Sequence, residues 1–130
     1  MLKGRRIVLV EDDEIMGASI AQRLDLEGAE VHWVKQVVRA IPAVRTPRAP
    51  VDAVICDIRM PKINGVQAIE YFKKQFPHVP IIVLTAYPEA EMAVSFMRSG
   101  VVDYLVKPVE AQKLTAAVKR AMEQRQLTWA

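Results

Sequence analysis

The chain has one cysteine, Cys56, and two histidines among its 130 residues. A lone cysteine excludes an internal disulfide and suits a reducing compartment. His32 and His78 stand apart without ligand spacing, which argues against a histidine metal centre. No apolar run approaches the roughly 20 residues needed to cross a bilayer. The opening Met1-Leu2-Lys3-Gly4-Arg5-Arg6 is basic, but only four apolar residues separate it from Glu11. A secretory signal needs about 7–15 there, so a cytoplasmic protein is expected. The net charge is +3, yet the Lys and Arg are scattered, with no run of five and no interleaved aromatics. They read as solvated faces, and direct nucleic-acid binding is not expected. There are only five glycines, and none forms a phosphate-cradling loop after the first apolar run. Internal repeats and low-complexity segments are also lacking.

What is present is a core and an alternation. Just over half of the residues are hydrophobic and a quarter are charged, at a length suited to one packed domain. Ile7 to Val10 forms a short continuous apolar run, as in a strand buried on both faces. Met16, Ile20 and Leu24 then recur at helical spacing, and Gly28 stops that helix. Val31 to Val34 reads as a second strand. Gln36 to about Val44 reads as a short or irregular helix, because Pro42 lies inside it and Pro47 and Pro50 follow. Ala53 to Asp57 is a third strand and Met60 to Gly65 a loop. Val66, Ile69, Phe72 and Phe76 mark the next helical face. Ile81 to Thr85, a helix carrying Met92, Phe96 and Met97, Tyr104 to Lys107, and a last helix from Leu114 to Met122 complete five βα units. Such alternation predicts an α/β fold, a parallel sheet with helices on both faces. Residues 1–125 are expected to form the domain, with 126–130 a tail or the start of a linker.

In a sheet of this kind ligands sit beyond the carboxyl ends of the strands. Four chemically distinct groups fall there: Glu11-Asp12-Asp13-Glu14, Asp57, Thr85 and Lys107. Each alone has an ordinary explanation. Acids before a helix suit its dipole, an Asp can cap a loop, and one Lys-Pro means little. Their shared placement at four strand ends argues for a single site. Four clustered carboxylates repel phosphate unless a cation intervenes, and hard carboxylate oxygens suit Mg²⁺. With a cation present, Asp57 could act as a nucleophile. Lys107 could neutralise a phosphoryl oxygen, and Thr85 could donate a hydrogen bond to another.

These segments together resemble the receiver domain of two-component response regulators. The resemblance rests on Val8-Leu9-Val10-Glu11-Asp12-Asp13, on Asp57-Ile58-Arg59-Met60-Pro61 with Asn64-Gly65, on Leu84-Thr85-Ala86, and on Asp103-Tyr104-Leu105-Val106-Lys107-Pro108. It runs from about Arg5 to Arg125. It implies a flavodoxin-like (βα)5 doubly wound fold with strand order 2-1-3-4-5. It implies that Asp57 accepts a phosphoryl group from a histidine kinase or phosphotransfer protein. Asp13 and Asp57 would ligate Mg²⁺ directly, Asp12 through water, and the backbone carbonyl of Arg59 would add a ligand. Thr85 and Lys107 would contact the phosphoryl group, and the Lys107-Pro108 bond would be cis. Tyr104 would be an aromatic switch that follows Thr85. Output, or homodimerisation, would use the face of the fourth helix, fifth strand and fifth helix. The protein would be a switch rather than an enzyme, promoting only its own phosphorylation and dephosphorylation, and controlling an output domain or partner in transcription regulation.

Three other readings compete. A dehalogenase-like phosphatase also uses an aspartyl nucleophile, but it wants a second Asp two residues on, where this chain has Arg59. A nucleotide- or flavin-binding module conflicts with the acidic first loop. A phosphorylation-independent pseudo-receiver would not need the acids, Asp57, Thr85 and Lys107. Arg59 and Tyr87, each two residues beyond a key group, occupy positions that tune phosphoryl lifetime in the family, and Pro88 departs from its common pattern. Cys56 reads as a buried core thiol, and Trp33 as a sheet-packing residue.

Overall fold

A computed structural model of the chain describes residues 2–45, 50–58, 65–86 and 95–129. Five strands alternate with helices: β1 (Arg6–Val10), α1 (Glu14–Leu26), β2 (Glu30–Val34), α2 (Val37–Arg45), β3 (Ala53–Asp57), α3 (Gly65–Gln75), β4 (Ile81–Thr85), a helical stretch α4 (95–98), β5 (Asp103–Val106) and α5 (Ala111–Trp129). All pairings are parallel and the strand order is β2-β1-β3-β4-β5, as expected from the resemblance. No helix among the described residues is long and apolar enough to cross a membrane.

Side-chain alternation along the strands creates two cores. Ile7, Leu9, Ile55, Ile82, Leu84 and Leu105 point to one face, where Ile20 and Leu24 of α1 meet Leu114, Ala117, Val118 and Ala121 of α5. Val8, Val10, Val54, Cys56, Ile81 and Val83 point to the other face, against Ala40, Ala43 and Val44 of α2, Ile69 and Phe72 of α3, and Phe96 of α4. β1, β3 and β4 are therefore apolar at every position but one terminal residue each, Arg6, Asp57 and Thr85, as a sheet covered on both faces requires. β2, at the edge, alternates instead, with Glu30 and His32 exposed.

Local chemistry sets the ends of α1. The Asp13 carboxylate accepts the Met16 amide at 2.9 Å and caps the helix. At the other end Gly28 adopts φ 97°. Its amide donates to the Asp25 carbonyl at 2.9 Å, and that of Ala29 donates to Leu24 at 3.1 Å, closing the helix on paired reverse bonds.

Two boundaries shift, those of β5 and α5, while the short α2 forms about where it is expected. α2 forms straight through Pro42, because Ala40, Ala43 and Val44 are buried and their packing outweighs the missing amide. β5 begins at Asp103, opposite Ile82, and ends at Val106, so Lys107 lies just beyond the strand. The stretch read as a tail continues α5 to Trp129, in a segment free of Gly and Pro. Phe96 is buried and Met97 is half exposed. Met92, Tyr87, Pro88 and the loop before Gly65 lie outside the described residues.

Ile55 sits at the centre of β3 with no exposed surface, so Ile55→Ala should lower unfolding free energy by ~2–5 kcal/mol in urea denaturation. Ile15→Ala, at a side chain 85% exposed, should change it by less than ~0.5 kcal/mol.

Candidate functional site

The carboxyl ends of β1, β3, β4 and β5 converge because the sheet is parallel and in register. Val10 pairs with Cys56, so the residues that follow, Glu11 and Asp57, emerge side by side. Thr85 closes β4 opposite Val106, and the Lys107 amide donates to the Thr85 carbonyl at 2.8 Å. The Lys107-Pro108 bond is cis, as anticipated.

Lys107 is the hub. Its Nζ donates to Asp57 Oδ2 at 2.8 Å and is ion-paired with Glu11 Oε1. Asp57 is 2% exposed and Glu11 is fully buried. Burial by itself would lower the Lys107 pKa; hydrogen bonds and attraction from Asp57 and Glu11 overcome it and leave the pKa raised. Burial likewise pushes the Glu11 carboxyl up to about 7; Lys107 opposes the rise and the neighbouring Asp57 adds to it. The Cys56 thiol is pushed up to about 12, first by burial and then by the charges of Asp57 and Glu11, which makes it inert at neutral pH.

Carboxylate oxygens of Glu11, Asp12 and Asp57 lie within 4.8 Å of one another, with Asp12 exposed to solvent. One lysine charge faces three carboxylates. The deficit of positive charge and the all-oxygen donor set fit a hard divalent cation. Asp13 was expected to be a direct ligand. Its carboxylate Oδ1 accepts the Met16 amide and caps α1, and its amide donates to Glu11 Oε2 at 3.2 Å. The acid abreast of Asp57 is Glu11, a member of the acidic run that the resemblance leaves out of its ligand set. A usable signal existed: Glu11 and Asp57 are each the first acid after a strand's apolar run.

Thr85 is fully buried at the end of β4. The Tyr104 ring packs against the α2–α3–α4 core and stacks on Phe96, with centroids 6.1 Å apart. Its buried hydroxyl has no hydrogen-bond partner among the described residues. Arg59 lies outside the described residues.

The family model of the response regulator receiver domain matches residues 7–119. The chain is 36% identical over 115 residues to the response regulator protein FleR of Pseudomonas aeruginosa, covering 88% of this chain and 24% of that one. It is 34% identical over 125 residues to the transcriptional regulatory protein ZraR of Klebsiella oxytoca, covering 93% and 27%. It thus spans about a quarter of the length of these curated relatives. A response regulator receiver domain protein from Clostridium thermocellum superimposes with a TM-score of 0.87 at 29% identity, covering 95% of this chain and 98% of that one. The non-phosphorylated HemR receiver domain of Leptospira biflexa gives 0.79 at 30% identity, covering 91% and 94%.

The raised Glu11 pKa has a consequence for stability. The folded chain holds this proton more tightly than the unfolded chain does, so the contribution is present below 4.5 and is lost as pH rises through about 7. In metal-free buffer, the urea midpoint of the wild type should fall across that window more steeply than that of Glu11→Gln. Identical slopes in the two proteins would refute it.

Proposed function

This chain belongs to the response regulator receiver family, and from that premise we propose that it is a switch thrown by phosphorylation of Asp57. The carrying observation is the buried Asp57 carboxylate held at 2.8 Å by Lys107 beside Glu11 and Asp12. The phosphoryl donor is a phosphohistidine of a histidine kinase or phosphotransfer protein. An Asp57 carboxylate oxygen attacks phosphorus, the P–N bond breaks as the P–O bond forms, and the donor imidazole leaves.

The chain's own groups position and neutralise. Lys107 orients Asp57 before transfer and can pair with a phosphoryl oxygen after it. Thr85, beside it at the end of β4, supplies a hydroxyl to another oxygen. Glu11, Asp12 and Asp57 would hold Mg²⁺, with the Arg59 carbonyl a further ligand; Glu11 takes the place expected for Asp13. When bound, Mg²⁺ supplies the positive charge that lets an anionic donor approach these carboxylates. The chain carries out no turnover beyond adding and removing its own phosphoryl group.

Output follows from Thr85 and Tyr104. If the Thr85 hydroxyl moves towards a phosphoryl oxygen, the space beside the Tyr104 ring changes, shifting a two-state equilibrium. The face built by α4, β5 and α5 carries the exposed apolar side chains of Met97 and Val106, which suits docking of an output domain, a partner or a second copy. Relatives named as transcriptional regulatory proteins support a role in transcription regulation; the protein would act in the cytoplasm, with any DNA contact made by another domain.

Acetyl phosphate and Mg²⁺ should add the mass of one phosphoryl group to the intact protein. Asp57→Asn or chelation of the metal should abolish the gain, and Lys107→Ala should slow it by roughly 10²-fold. Folded wild-type protein that gains no mass at any Mg²⁺ concentration would favour a phosphorylation-independent interaction module.

A further inference from the structure

Trp33 does more than pack the sheet. Its indole Nε1–H donates to the backbone carbonyl of Glu11 at 2.9 Å, across 22 positions of sequence. The next residue of β2, Val34, accepts the Glu11 amide at 3.0 Å. Two consecutive residues of β2 therefore hold both backbone polar groups of Glu11, just where β1 ends and the chain turns into α1. The Val34 bond continues the strand ladder. The Trp33 bond does not: it is a side-chain anchor on a peptide that has left the ladder.

Peptide planarity extends its reach. The Glu11 carbonyl and the Asp12 amide belong to one rigid unit. Fixing that carbonyl constrains how the chain leaves Glu11 and enters Asp12, and so the Cα–Cβ directions from which both carboxylates project. The indole can reach this carbonyl because the helix wall beside it has no side chain. A Cβ on Gly17 would overlap the Trp33 ring. From the outside, the Lys35 ammonium lies 5.9 Å from the ring centroid and pairs with Glu14 of the first turn of α1. The ring thus lies against α1 at Gly17 and near the Lys35 ammonium, with its single donor aimed at the acidic turn.

We propose that Trp33 is a positioning residue for the cation site: its indole, seated on Gly17, clamps the Glu11–Asp12 peptide so that both carboxylates face Asp57. The inference rests on the cation site proposed above. Partners of this kind typically alter metal affinity by ~10–100-fold when removed.

The test is Mg²⁺ binding by isothermal titration calorimetry on wild type, Trp33→Phe, Gly17→Ala and Val31→Ala. Trp33→Phe keeps a ring and loses the donor; its Kd for Mg²⁺ should rise about tenfold. Gly17→Ala leaves the indole intact but displaces it, and should raise Kd in the same direction. Val31→Ala loosens the same face of β2 without touching Glu11, and its Kd should match the wild type. Phosphorylation of Trp33→Phe by acetyl phosphate should slow at limiting Mg²⁺ and recover at saturating Mg²⁺. An unchanged Kd in folded Trp33→Phe overturns the proposal, as does an equal rise in Val31→Ala. Wild-type protein that binds no Mg²⁺ overturns the cation site itself, and this role with it.

Discussion

Lys107 places one ammonium charge between two carboxylates that the sheet has taken out of water. Burying either carboxylate alone would be unfavourable, and burying both side by side adds their repulsion. The lysine makes the arrangement tolerable without completing it. Burial still pushes the Glu11 carboxyl up to about 7, and Asp12 adds a third acidic group within 4.8 Å. A site left short of positive charge attracts a cation, and a cation makes room for a phosphate. The same incompleteness underlies both the binding and the chemistry proposed here.

The fold produces that crowding through burial and strand direction. β1, β3 and β4 are apolar at nearly every position, so both faces can be covered and the polar chemistry is pushed to the strand ends. Parallel pairing gathers those ends on one edge. The register then decides which residues become neighbours: Val10 opposite Cys56 puts Glu11 next to Asp57, and Thr85 opposite Val106 puts Lys107 just beyond. The edge strand β2 adds a second layer of control, because Trp33 and Val34 grip the peptide from which the first acid projects.

Most of the architecture was legible in the chain. The five apolar runs, the periodicities of the described helices and the stop at Gly28 fall close to where the structure has them, since periodicity reports which faces are buried. Asp57, Thr85 and Lys107 were legible for the same reason: each is a polar residue at the end of a run that must be inside. The acidic loop was harder. Four consecutive acids differ little as letters. Their roles diverge only once the turn is built, with Glu11 buried against Lys107, Asp12 turned to solvent and Asp13 spent on the helix cap. Trp33 was read as packing because a hydrogen bond across 22 residues leaves no local pattern.

By itself the sequence determined the alternation of strands and helices, the parallel sheet and the strand-end identity of the site, because those follow from burial and from chain direction. The tertiary structure decided which acid stands beside Asp57, what Asp13 does instead, and that the β2 indole reaches the first loop. These are matters of register and side-chain reach, set by contacts between segments far apart in the chain.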